Sequence, residues 1–231
     1  VSIKNGIPTL NCFFNKENVS NLKEYLGQTD LICASNVICH VPDLNNLIEA
    51  VSLLLSSDGT FIFEEPYLGS MFEKVSYDQI YDEHIFMFSA SSVSKIFKRF
   101  NLKLIDAIPQ DTHGGSMRYI IKRNTNNIDQ NIKKIISFEE NKKINSLESC
   151  LNFKKNCEIS KEKILKKIKS LKNSGKTICG YAATSKSTTV LNYCNINNNY
   201  IDFICDTTKE KIGKFSPGMH IPIKDMEYFH R

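Results

Sequence analysis

The sequence holds no run of eighteen apolar residues, so no helix in it is built to cross a membrane. Its opening, Val1-Ser2-Ile3-Lys4-Asn5-Gly6, has neither an initiator methionine nor the charged-then-apolar order of a signal peptide, and is expected to be an internal cut. Eight cysteines are present, yet no two form a Cys-x-x-Cys pair, so no metal is expected in this chain. Several sit in apolar runs such as Thr177-Ile178-Cys179 and Phe203-Ile204-Cys205, which points to free buried thiols in a reducing cytoplasm. The basic residues lack interleaved aromatics and any RNA-binding signature, so nucleic acid is not an expected partner. Glycine-rich phosphate loops are missing too. Gly180 stands alone after its strand, with Ala182 and Ala183 where further glycines would be wanted, and this disfavours nicotinamide binding even though Asp206 sits where a ribose-binding acid would lie.

What remains describes a soluble α/β protein. At 231 residues, 41% hydrophobic and 24% charged, the chain suffices for one large domain or two modest ones. Much of the +5 formal charge lies between Asn131 and Lys176, where lysines recur with Ile159, Ile164, Leu165, Ile168 and Leu171 at helical spacing. That pattern predicts an amphipathic helix with a solvated basic face.

In chain order, residues 1–30 read as a short strand, a loop and a helix ending at Gly27. Asp30 to Ala34 is an apolar run expected of a buried parallel strand. A helix follows over Leu44 to Leu55, then a turn at Asp58-Gly59 and a strand over Thr60 to Glu64. Ser89 caps a helix from Ala90 to about Phe100. Two strands, Leu102 to Ile108 and Met117 to Lys122, flank Gly114-Gly115, where glycine permits backbone angles closed to other residues. A βαβ unit closes the chain: strand Lys176 to Tyr181, a small-residue turn, a helix from Thr188, and strand Tyr200 to Asp206. Polar residues gather at the carboxyl ends of the strands, the edge where open parallel sheets bind ligands.

The stretch Ile80-Tyr81-Asp82-Glu83-His84, after Glu64-Glu65-Pro66-Tyr67-Leu68, sets a histidine among acids and a tyrosine. A histidine so flanked suits proton abstraction, because a nearby carboxylate fixes its tautomer and raises its basicity. A solvated surface loop is the plain alternative.

Four blocks resemble the S-adenosylmethionine-dependent C-methyltransferases of nucleotide-linked 4-keto-deoxysugars. They are Ser35-Asn36-Val37-Ile38-Cys39-His40-Val41-Pro42-Asp43; Glu65-Pro66-Tyr67-Leu68 with Tyr81-Asp82-Glu83-His84; His113-Gly114-Gly115-Ser116-Met117-Arg118; and Gly180-Tyr181-Ala182-Ala183-Thr184-Ser185-Lys186, continuing through Asp206-Thr207-Thr208 to Pro217-Gly218-Met219-His220. The resemblance implies a partial class I methyltransferase sheet over 1–124, a helical connector over 125–174 and a second small Rossmann-like domain over 175–231. It also implies two absent parts, a cysteine-rich zinc module and the first methyltransferase strands with their glycine-rich loop, so a fragment with an incomplete cofactor site is expected.

The implied reaction moves a methyl group from S-adenosylmethionine to C3 of the keto sugar through an enolate, within deoxysugar biosynthesis. By resemblance His84 is the base, and Tyr81, Glu83 and His40 position it or stabilise the enolate. Ala34, Ser35 and Asn36 border the methionine part of the cofactor. Tyr67, His113, Gly114, Arg118, Thr184 and Lys186 face the substrate, the last two its diphosphate. The alternatives are a nucleotide-sugar binding module without catalysis and a methyltransferase for another acceptor.

Overall fold

The computed structural model describes residues 2–123 and 130–230. In chain order it contains α1 (Lys16–Leu26), β1 (Thr29–Ser35), α2 (Leu44–Leu54), β2 (Leu55–Pro66), α3 (Leu68–Lys74), α4 (Ala90–Lys98), β3 (Leu102–Gln110), β4 (Ser116–Arg123), α5 (Gln130–Asn141), α6 (Leu147–Asn173), β5 (Cys179–Tyr181), α7 (Ser185–Cys194), β6 (Phe203–Cys205) and β7 (Ile223–Lys224). Residues up to Tyr67 together with Ile85–Asn141 form one compact unit, and Leu68–His84 with the residues from Lys142 onward form another. The chain is α/β in both.

The first unit is built on a four-stranded sheet in the order β1-β2-β4-β3. β1 and β2 are parallel, whereas β4 runs antiparallel to both β2 and β3. Alternation along β2 turns Phe61 and Phe63 inward, where Phe63 stacks on Tyr119 of β4 at 4.8 Å between ring centroids and on Phe97 of α4 at 5.6 Å. Leu44, Leu47, Ile48 and Val51 recur at helical spacing on α2 and are buried in the same core. Asp43 caps α2 by accepting from the Asn46 N–H at 3.0 Å, and Ser89 and Ser92 form a reciprocal capping box on α4. Each large side chain so buried contributes about 1.5–3 kcal/mol of transfer free energy.

Three sequence expectations need correction here. The chain opens on a 3-10 helix, Ile3–Asn5, rather than a strand. Asp58-Gly59 lies within β2, and the ladder with β1 skips there, from Thr29↔Leu55 to Leu31↔Thr60, so the intended turn survives as a break in register. β1 is not buried: among the described residues it pairs on one side only, and Leu31 and Cys33 are exposed. The cysteines divide likewise. Cys39, Cys157, Cys194 and Cys205 are buried, while Cys12, Cys33 and Cys150 are exposed.

The second unit carries a three-stranded parallel sheet, β5-β6-β7, with α7 as the crossover between β5 and β6. Gly180 lets β5 approach β6, since a Cβ there would meet Ile204 Cγ1 at 3.0 Å. Phe72 of α3 stacks on Phe153 of α6 at 4.9 Å, and Tyr77 meets Tyr193 of α7 at 5.0 Å. These two contacts hold Leu68–His84 to a unit that is otherwise carboxy-terminal. Helix α6 keeps Lys163, Lys166, Lys167 and Lys169 exposed and half-buries Ile164, Leu165 and Ile168, as its spacing predicts. The expected connector thus comprises α5 in the first unit and α6 in the second, and its start, residues 125–129, lies outside the described residues.

Candidate functional site

In the first unit the carboxyl ends of β1 and β2 lie side by side, with Ser35 paired to Glu64. Ala34 is half-buried, Ser35 is exposed, and Asn36 turns into the left-handed region at φ 52° while its N–H donates to the Glu64 carbonyl at 2.9 Å. Asn36 Nδ2 also donates to Ser35 Oγ at 3.2 Å. A 3-10 helix, Ile38–His40, follows and leaves His40 half-buried at its end. Accessible polar groups thus gather at the carboxyl edge of the strands, where open α/β sheets bind ligands.

Four further residues singled out for the substrate also belong to this unit. Tyr67 is buried, and its hydroxyl donates to Glu139 Oε1 at 3.0 Å. His113 and Gly114 share the exposed 3-10 turn between β3 and β4, both at positive φ (52° and 82°), so the paired glycines do serve a left-handed turn. Arg118 faces Glu64 across the β2–β4 ladder, with Nη2 at 2.9 Å and Nε at 3.2 Å from Glu64 Oε2. Its guanidinium is therefore matched to a carboxylate already.

The second unit holds Tyr81, Glu83 and His84. His84 Nδ1 lies 2.8 Å from the Gln79 carbonyl, and Nε2 lies 2.7 Å from the Tyr81 hydroxyl. A carbonyl can only accept, so Nδ1 carries the proton and Nε2 presents its lone pair, to which the Tyr81 hydroxyl donates. The rings lie 4.0 Å apart between centroids. Glu83 is exposed beside them. The two contacts together fix one tautomer of a neutral imidazole.

An open cleft of about 810 Å³ lies in the same unit, lined among others by Tyr81, Thr184, Lys211, Lys214, Phe215 and Asn192. Thr184 caps α7 through a capping box with Ser187, its Oγ1 accepting from the Ser187 N–H at 3.1 Å, at the helix end whose dipole favours anions. A second, mostly apolar cavity of about 460 Å³ reaches Lys186, Tyr181 and Val190. Gly218 holds φ 76°, a backbone angle that suits glycine, and an added Cβ there would stand 1.9 Å from Oδ1 of the cleft-lining Asn192, whose amide would have to swing away.

Asp206 does not offer itself to a ribose. It is 6% exposed, and its carboxylate accepts from the Ala183 and Thr208 N–H groups at 2.8 Å each. Burial pushes its pKa up, but the Thr208 and Ala183 donors and the Lys211 ammonium outweigh burial and hold it at about 2. Sequence reasoning missed this anchor, and it missed Gln79, Glu139 and Lys211. Gln79 acts through its main chain and Glu139 from a distant helix, so neither leaves a local pattern.

The model of the C-methyltransferase C-terminal domain family matches residues 111–231, and a methyltransferase domain family matches residues 5–107. The C-methyltransferase NovU of Streptomyces niveus is 28% identical over 220 residues, covering 94% of this chain and 52% of NovU. The chain therefore spans about half the length of that curated relative. Among solved structures, an S-adenosylmethionine-dependent methyltransferase from Clostridium acetobutylicum ATCC 824 is 18% identical with a TM-score of 0.39, covering 54% of this chain and 68% of that one. The N-methyltransferase NodS from Bradyrhizobium japonicum WM9, in complex with S-adenosyl-l-homocysteine, is 14% identical with a TM-score of 0.31, covering 42% and 47%.

Proposed function

The chain belongs to the C-methyltransferase family, and from that premise we propose that it serves the S-adenosylmethionine-dependent methylation of C3 in a nucleotide-linked 4-keto-deoxysugar. The observation that carries the reading is the fixed tautomer of His84, with Nδ1–H on the Gln79 carbonyl and Nε2 at 2.7 Å from Tyr81. A carbon next to a ketone is acidic because its conjugate base is an enolate. His84 Nε2 takes the C3 proton, and the Gln79 carbonyl stabilises the imidazolium through Nδ1–H. The Tyr81 hydroxyl, displaced from Nε2 by that proton, donates to the oxyanion growing at C4. Glu83 supports the charge on the base.

General-base assistance of this kind is worth about 10²–10⁴ in rate. One donated hydrogen bond to the oxyanion adds roughly 10²–10³. Ala34, Ser35 and Asn36 would border the methionine part of the cofactor, which would supply an electrophilic methyl group. The cleft bounded by Thr184, Lys211, Lys214 and Phe215 takes the nucleotide diphosphate, with Lys186 on the adjoining side of α7. A purely binding role is the second reading, favoured by a cleft whose whole lining lies in the second unit.

The test is calorimetric titration with S-adenosylmethionine and then with a nucleotide-linked keto sugar, using this chain and a version extended upstream in its reading frame. Binding of the methyl donor by either form supports methyl transfer. Sugar-nucleotide binding with no donor binding by either form overturns it in favour of the binding role.

A further inference from the structure

We infer that Glu65 is the positioning residue of the loop 36–40, and that it sets this loop through the backbone rather than by touching a ligand. The inference rests on the methyl-transfer reading, which puts the cofactor beside Asn36. Glu65 is the penultimate residue of β2, and its side chain is wholly buried. Its Oε1 accepts from the N–H groups of Val37 at 2.9 Å, Ile38 at 2.6 Å and Cys39 at 3.3 Å. These are the first donors of the 3-10 helix Ile38–His40, which have no acceptor inside so short a helix. No side chain at the head of that helix caps it, so the cap comes from across the sheet.

The grip is continuous. Glu64, the preceding residue, gives its carbonyl to the Asn36 N–H at 2.9 Å, while the Cys39 carbonyl accepts from the Ile85 and Phe86 N–H groups at 2.9 and 3.3 Å. Consecutive residues of β2 thus fix consecutive positions of the loop, and Asn36 is held at φ 52° between them. An acid is costly in this place, among Ile38, Phe63 and Met117, because burial strips its water. Glu65 Oε2 has no hydrogen-bond partner among the described residues, so the loop's donors use only half of the acceptor capacity brought inside. An apolar residue would pack here at less cost. What the acid secures instead is a loop conformation that apolar packing does not specify.

Cys39 is no competing explanation. Its thiol is pushed far up by burial and by the adjacent Glu65 carboxylate, which makes it inert.

The experiment pairs hydrogen–deuterium exchange of the 36–41 peptide with calorimetric affinity for S-adenosylmethionine, on the wild type, Glu65→Leu and Glu65→Gln. Leucine removes the acceptor, and glutamine keeps a neutral amide oxygen as a partial rescue. The expected result is exchange at 37–39 faster by about tenfold or more in the leucine variant and by less in the glutamine variant, with donor affinity weakened in the same order. If Glu65→Leu fails to fold, Glu65→Gln alone carries the test through faster exchange confined to 37–39. Unchanged exchange at those amides overturns the inference, as does loosened exchange with donor affinity intact. If neither the wild type nor its upstream-extended form binds the donor, the methyl-transfer reading falls, and the claim about Glu65 is decided by exchange alone.

Discussion

Ala183 and Asp206 are joined by a 2.8 Å hydrogen bond from the Ala183 N–H to Asp206 Oδ2. Lys211 closes the triangle, its Nζ donating to the Ala183 carbonyl at 2.8 Å and standing 3.5 Å from the same carboxylate oxygen. The turn that opens α7 and the loop that leaves β6 are therefore one tied structure. A position that reads as ribose-binding in sequence is an internal brace of the cleft wall.

That brace makes stability depend on pH in a defined direction. Burial raises the Asp206 pKa, but the donors around it win and hold it at about 2, below the ordinary 3.8. A carboxylate depressed on folding contributes stability that is complete above its unfolded value and is lost as pH falls through the folded one. The contribution expected is about 2 kcal/mol, present at neutral pH and lost between roughly pH 5 and pH 2. Urea unfolding across that range should show the loss in the wild type and a flatter profile in Asp206→Asn. Parallel profiles for the two proteins would remove Asp206 from the account.

Ala182, next in this turn, is held at φ 68°, where a Cβ crowds the following carbonyl. Its N–H donates to the Cys205 carbonyl at 2.8 Å, so the backbone cannot relax without breaking the β5–β6 junction. Left-handed alanine costs about 1–2 kcal/mol, offset in part by the greater unfolded-state entropy of glycine. Ala182→Gly should stabilise the protein by about 0.5–1 kcal/mol in equilibrium unfolding. A loss of stability would mean that the methyl group packs usefully in this turn.

Much of this fold was legible in sequence because it is written in local patterns. The alternation of β2, the spacing of α2 and the Ser89 cap each mark an element within one window. The Tyr81 to His84 stretch was legible for the same reason: three residues of spacing let the hydroxyl and the imidazole meet. The allegiance of Leu68–His84 to the second unit was not, since it depends on Phe72 meeting Phe153 some eighty positions away. Nor did Arg118 announce that Glu64 would occupy it, because their pairing follows from the β2–β4 register. Long-range register is where single-sequence reading loses its grip.

Glu139 is the strongest case of a partner hidden by distance. It sits on α5, 1% exposed, and accepts from the Ala90 N–H at 2.7 Å, the Ser91 N–H at 2.8 Å, the Ser91 hydroxyl at 2.5 Å and the Tyr67 hydroxyl at 3.0 Å. It thereby caps α4 from another helix and fixes the residue that follows β2. Glu139→Ala takes the carboxylate acceptor from four buried donors at once, and should destabilise the first unit by about 3–5 kcal/mol in urea unfolding. Glu139→Gln, which keeps one acceptor, should lose less. A change under about 1 kcal/mol for the alanine variant would show that water or repacking replaces the carboxylate.

The Tyr81–His84 pair separates proton removal from methyl delivery, and that separation can be measured. In the proposed mechanism Nε2 takes the C3 proton before any methyl group moves, so exchange of the sugar C3 hydrogen with solvent deuterium needs the base and the acceptor alone. His84→Gln should lower both C3 exchange and methyl transfer by about 10²–10⁴, with sugar-nucleotide affinity kept. Tyr81→Phe leaves Nδ1 on the Gln79 carbonyl and removes only the hydroxyl from Nε2. Affinity should hold while both rates fall by roughly 10²–10³ through loss of the oxyanion donor. Proton exchange followed by nuclear magnetic resonance and methyl transfer followed by product mass are independent readouts. If exchange survives in His84→Gln while methylation stops, His84 orients the methyl acceptor and another group is the base. If both survive, the pair has no part in the chemistry, and the fixed imidazole is a structural hydrogen bond at the cleft's edge.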